Sequence, residues 1–189
     1  MAHQLPAWSQ QFPAWVWNWG VVIAALLIGF IIKLIITGIL HFYKNTKDYS
    51  LFKSIITHLG KPLNFFVPLL ILNFMLPLIK LGKVFLDPLD RIAGILIIIA
   101  FASLLISAFR IFEDYIYHQY DLNKEDNLEE RKVRTQLIFV RKIVIIIVAV
   151  VTLSIILLSF DSVRKIGAGL LTGVGIGGII IGFAAQKSL

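Results

Sequence analysis

The last 25 residues, 165–189, read KIGAGLLTGVGIGGIIIGFAAQKSL, and between Ile166 and Gln186 they carry no charge. A helix of about 20 apolar residues crosses a bilayer, so this run is long enough to do so. Seven of the chain's 13 glycines (Gly167, Gly169, Gly173, Gly175, Gly177, Gly178 and Gly182) fall inside it. Each glycine weakens a helix interior by roughly 0.8–1 kcal/mol relative to alanine. A helix facing only lipid gains nothing from them. A helix pressed against other helices does, because small residues let backbones approach closely.

On a helical wheel of about 100° per residue, Ala168, Thr172, Ile179 and Phe183 point roughly together. Gly175, Gly178, Gly182 and Ala185 lie on one flank of that face. Gly169, Gly173 and, further round, Gly177 and Ala184 lie on the other. Leu170, Val174 and Ile181 fill the far side. Two small flanks beside a narrow face suit a helix with a neighbour on each side, as in a ring around a pore. A glycine-rich helix buried inside a single-chain bundle, as in many transporters, is the alternative.

The run GVGIGGIIIGFAAQKSL resembles the pore-lining helix of the MscS-like mechanosensitive channels, the small-conductance family. There, alternating small and apolar residues lead to a Gln and then Ser-Leu at a sharp bend. The approach from Phe160 to Gly167 fits a helix hairpin entering that helix, and the resemblance covers residues 141–189. It implies a homo-heptamer whose fifth helices surround the pore, with a pore gate at Ile179 and Phe183. It also implies packing through Gly173, Gly175, Gly177, Gly178, Gly182, Ala184 and Ala185, and a bend at Gln186 and Lys187. Phe183 is larger than the family's usual aliphatic residue, and Lys187 stands where the family often has glycine. A cytoplasmic β-rich domain with a vestibule would follow residue 189.

Composition places the rest of the chain in the same environment. Of 189 residues 58% are hydrophobic and 15% charged, and the mean hydropathy is +0.87. The charges cluster between apolar runs, so the net charge of +7 calls for a topological reading rather than nucleic acid. Cysteine is absent, which excludes disulfides and thiol chemistry. The four histidines are scattered, and no ligand set has metal spacing. No catalytic constellation and no cofactor-binding motif is apparent, and we expect no enzyme.

Five spans are expected, near residues 16–40, 63–79, 92–112, 143–160 and 166–186. The N-terminal part, 1–112, holds a tryptophan-rich interfacial segment and three peripheral spans. Trp8, Trp15, Trp17 and Trp19 suit the bilayer interface. Lys33, inside the first span, has no acidic partner in a membrane span and reaches the headgroups by snorkelling. Pro68 and Pro77 mark the second span as bent. Residues 113–142 form a charged cytoplasmic connection, with a solvated loop preferred over a helical hairpin. Residues 143–189 form the hairpin of spans four and five.

The positive-inside rule orients the spans. With the N-terminus outside, the inner segments hold 12 Lys and Arg residues and the outer segments five. This agrees with the resemblance, which runs the pore helix inward. Arg110, Arg131, Arg134, Arg141 and Lys142, near inner span ends, are candidate contacts for anionic lipid headgroups, each worth about 1 kcal/mol near the surface.

The expected fold is therefore an all-α integral membrane domain of five helices, the last lining the pore of a ring-shaped homo-oligomer. Its partners are membrane lipids, its own copies, and permeant ions and small osmolytes. The resemblance implies a bacterial inner (plasma) membrane channel of low selectivity, gated by tension and used in hypo-osmotic stress. A secondary transporter or permease subunit is the alternative; a non-conducting scaffold is a third reading.

Overall fold

The computed structural model describes residues 12–42, 51–119 and 128–186. Among these residues the regular elements are all helical. They are α1 (Ala14–Phe42), α2 (Leu51–Met75), a 3₁₀ turn (Leu76–Leu78), α3 (Lys83–Gln119), α4 (Leu128–Leu158) and α5 (Arg164–Gln186). All five α-helices contain a stretch long and apolar enough to cross a membrane. Residues 143–151, IVIIIVAVV, would favour a strand by side-chain preference. Hydrocarbon overrides that preference, because only a helix satisfies every backbone N–H and C=O within one segment.

Burial differs from that of a protein folded in water, chiefly in how many large apolar side chains lie on the surface. Among the described residues the interior holds many small side chains, Ala25, Ala93, Ala100, Ser54, Ser107 and Ser154, beside a few larger ones, Val21, Leu76, Ile79 and Leu137. Large apolar side chains such as Trp15, Phe74, Ile146 and Phe183 lie exposed on the surface. Close packing of small residues is what holds helices together where lipid is as apolar as leucine. The chain is thus a multi-pass membrane protein by helix length, composition and packing.

The chain divides into two compact units, Met1–Ser107 and Ala108–Leu189. In the first, α1 packs along α2. Val21, Ala25 and Gly29 succeed one another at four-residue spacing and are all buried, so they share one face of α1. A Cβ on Gly29 would stand 3.2 Å from the Cα of Pro68 and 3.3 Å from its Cβ. Glycine here lets the proline of α2 sit against the backbone of α1.

One end of this pair is tied by polar contacts. The Trp17 Nε1–H donates to the Leu78 carbonyl at 2.7 Å. The Asn18 amide accepts from the Lys80 N–H at 2.7 Å and donates to the Lys80 carbonyl at 3.2 Å. These bonds satisfy the backbone just where α2 has ended. Pro77 lies in the 3₁₀ turn, whereas Pro62 and Pro68 lie inside α2, which runs on without a break. The second span begins earlier than hydropathy predicts: α2 starts at Leu51, because Lys53, His58 and Lys61 mask its first turns.

The second unit contains the end of α3 and the α4–α5 pair. The charged connection expected over residues 113–142 is largely helical: α3 continues to Gln119 and α4 starts at Leu128. With 31 residues, α4 is about 46 Å long at about 1.5 Å per residue. The hydrocarbon core needs only about 30 Å, so the charged first turns of α4 have room to stand in water.

A candidate pore helix and its support

Helix α5 is positioned by α4 through a short turn, residues 159–163. The Ser159 and Phe160 N–H groups donate to the Ile156 and Leu157 carbonyls at 3.0 and 3.2 Å, closing α4. Arg164 Nε donates to the Leu158 carbonyl at 3.2 Å. Its guanidinium also pairs with Asp161 at 2.8 Å, an exposed contact. One arginine therefore joins the end of α4, the turn and the start of α5.

Just beyond, α4 and α5 meet at Gly167. A Cβ there would stand 2.7 Å from the Ser154 carbonyl oxygen and 3.0 Å from the Leu158 nitrogen. Ser154 is fully buried, and its hydroxyl donates to the Val150 carbonyl at 2.7 Å. The two backbones approach because neither helix puts a large side chain, or an unsatisfied hydroxyl, between them.

The α4-facing stripe of α5 consists of Gly167, Leu170, Leu171, Val174 and Gly177, the first buried and the rest half-buried. The face carrying Ala168, Thr172, Ile179 and Phe183 is the opposite one. All four are exposed, with Ile179 at 61% and Phe183 at 69%. The Thr172 hydroxyl donates to the Ala168 carbonyl at 2.9 Å, so it is satisfied within its own helix.

Apart from Gly177, at the edge of the α4 side, the small residues singled out by the sequence spread around the remaining surface. A Cβ on Gly169, Gly173, Gly175, Gly177, Gly178 or Gly182 would meet nothing within 4 Å. Ala184 is exposed, as is Gln186, the last residue of α5. The Ala185 side chain and Lys187 lie outside the described residues, as does the bend expected there.

The basic residues separate into two groups. Arg110, Arg134 and Lys142 are exposed, and the Arg131 side chain lies outside the described residues. Arg141 instead turns one guanidinium nitrogen to Glu113, 3.3 Å from Oε1 and 3.5 Å from Oε2. Glu113 is buried and also accepts from the Tyr117 hydroxyl at 3.3 Å. Burying a carboxylate is costly unless it is paired and hydrogen-bonded; here it is both. Sequence reading does not reach this pair, because its members stand 28 residues apart. The only signal is that each flanks the apolar end of its span.

A second missed feature is the Val21, Ala25, Gly29 stripe of α1. Its signal was present in the sequence as small residues four apart, in AALLIG. Among the described residues, no three His, Asp or Glu side chains gather as a metal site would require. Comparison of the chain with models of protein families, with curated proteins and with solved structures gives no match.

Proposed function

We propose that the chain is the membrane domain of a tension-gated ion channel of low selectivity, of the MscS-like kind. In this reading α5 lines the pore of a homo-oligomer, a heptamer if the resemblance holds. The N-terminus lies outside and the C-terminus in the cytoplasm of a bacterial inner membrane. The observation that supports it best is the division of α5 into faces. One face is taken by α4; the opposite face is narrow and apolar, and small residues flank it on both sides.

The mechanism follows from the bilayer as solvent. Tension does work in proportion to the in-plane area a protein gains, so it favours the wider state and shifts the population toward it. Small flanks let neighbouring α5 helices slide with little steric cost. A ring of Ile179 and Phe183 side chains stops ions when narrow, because an apolar constriction dewets. Thr172, bonded to its own helix, adds no free donor to that surface. No acidic side chain stands on the face, so the open pore discriminates weakly between ions and passes small osmolytes.

Current recorded under suction from bilayers containing the purified chain tests this. The reading predicts unitary steps whose open probability rises with tension. Silence up to the lytic tension overturns it, and substrate-coupled flux without unitary steps would mark a transporter instead.

A further inference from the structure

Lys33 lies inside the first apolar span, and the packing of α1 on α2 fixes which way it faces. The two helices run antiparallel, and three contacts set their register: Trp17 meets Leu78, Asn18 meets Lys80, and Gly29 meets Pro68. Each step forward along α1 is therefore a step back along α2. Four residues on from Gly29 stands Lys33, and four back from Pro68 stands Asn64. Residues four apart share a helix face, so Lys33 and Asn64 lie across from each other at the α1–α2 seam. Both are half-buried, whereas Leu34 and Ile35, next to Lys33, are exposed. Lys61 precedes Pro68 by two turns on that same face of α2, and it is exposed.

This end of the seam is basic and short of counter-charge. Neither α1 nor α2 contains Asp or Glu. From Lys33 to Lys61 the chain holds five lysines and one acidic residue, Asp48. The other acidic residues of this unit, Asp87 and Asp90, follow Lys80, which meets Asn18 at the opposite end of the α1–α2 pair.

Depth decides the kind of anion that fits. The first apolar span closes at Ile36, so Lys33 stands about 4.5 Å inside it at about 1.5 Å per residue. A lysine facing lipid at that depth would snorkel to the surface. Lys33 faces a partner helix instead, and a half-buried charge is costly unless something pairs with it. The Asn64 amide can donate to the same anion, and Lys61, about a turn nearer the surface, supplies a second cation. Two cations and an amide just inside the edge of the hydrocarbon suit a phosphate that is attached to acyl chains. The chains stay in the bilayer while the head enters the seam, as anionic headgroups do in basic pockets between membrane helices.

We propose that the seam formed by Lys33, Asn64 and Lys61 binds the phosphate of an anionic phospholipid. The site is independent of the channel reading, and it uses none of the basic residues singled out from the sequence as lipid contacts.

The test uses the delipidated full chain in detergent, offered phosphatidylglycerol or phosphatidylcholine with the same acyl chains. Lipid kept after gel filtration is counted by native mass spectrometry. We expect the tightest-held phosphatidylglycerol to bind about fivefold more weakly in Lys33→Gln and in Lys61→Gln. Lys33→Arg should keep it, as should Lys83→Gln, which removes the same charge at the opposite end of the pair. If Lys33→Gln changes the elution volume, Lys33→Met takes its place. An excess of inorganic phosphate should not displace the lipid, because a free anion lacks the acyl chains that hold the head at this depth. Unchanged retention in the Lys33 variant, an equal loss in Lys83→Gln, or equal retention of phosphatidylcholine each overturns the proposal. So does displacement by inorganic phosphate, which would mean a free-anion site.

Discussion

Helices α1 and α5 each press one glycine onto the backbone of a partner helix, and the two helices differ in how many further glycines they carry. In α1 the contact is Gly29 on Pro68, and the other two glycines, Gly20 and Gly38, have open space beside them. In α5 the contact is Gly167 on Ser154, and six further glycines have open space. On the scale measured in water, those six cost a helix roughly 5–6 kcal/mol relative to alanine, against about 2 for the two in α1. One glycine per pair is explained by packing inside the chain. A surplus of that size in α5 is not, and it points to surfaces outside the chain as its reason.

The comparison can be broken first at its closest contact. Gly167→Leu drives a side chain into the α4 backbone, with no flexible neighbour to yield. We expect about 3 kcal/mol of destabilisation, read as a lower midpoint in denaturant-titrated unfolding from detergent. Gly29→Ala meets Pro68 at a looser 3.2 Å, so a shift of a few tenths of an ångström accommodates it. Its cost should stay below about 1 kcal/mol. If the two variants cost the same, the difference drawn between the helices is wrong.

Arg141→Gln comes next, because it leaves the buried Glu113 carboxylate with only the Tyr117 hydroxyl. An unsatisfied buried group costs about 1–3 kcal/mol, and exposure of Arg141 places the result toward the lower end. The double variant Glu113→Leu/Arg141→Leu removes both charges and should recover most of that loss. A double variant no more stable than the single one would mean that the pair holds α3 to α4 by more than charge compensation.

Gly178→Leu and Gly182→Leu meet nothing in the chain, and each should raise the chain's own stability a little, by under about 1 kcal/mol, because leucine favours a helix and glycine does not. Their effect belongs to assembly. Native mass spectrometry in detergent should show loss of the oligomer, while unfolding midpoints do not fall below the parental value. An intact oligomer with both leucines present would leave the surplus glycines without a physical account.

The five helices were legible in the sequence because hydrocarbon imposes a length and a composition that soluble folds do not. Their ends were not. Lys53, His58 and Lys61 hide the first turns of α2, and the charged run after Phe112 hides the helical turns on either side of it. Such turns continue a helix already started, so they do not bear the cost of a new nucleus. Within the site, the faces of α5 were partly readable from spacing: of the three large side chains on the far side of the wheel, Leu170 and Val174 are half-buried, whereas Ile181 is exposed and Leu171, off that side, is half-buried. Gly167 was counted among the seven glycines but given no place on the wheel, and its contact with Ser154 depends on the approach of two backbones. The Glu113–Arg141 pair depends in the same way on tertiary placement.

The central claim is that the α5 face opposite α4 lines a conducting pore, and the chain's lack of cysteine makes it directly testable. Single cysteines at Thr172, Ile179 and Phe183, and at Leu170 and Val174, would be introduced one at a time. A charged, thiol-specific methanethiosulfonate reagent would then be applied while current is recorded under tension. The account predicts altered unitary current for the first three positions and none for the last two. Modification at Leu170 and Val174, or an unaltered current at Ile179 and Phe183, would contradict it.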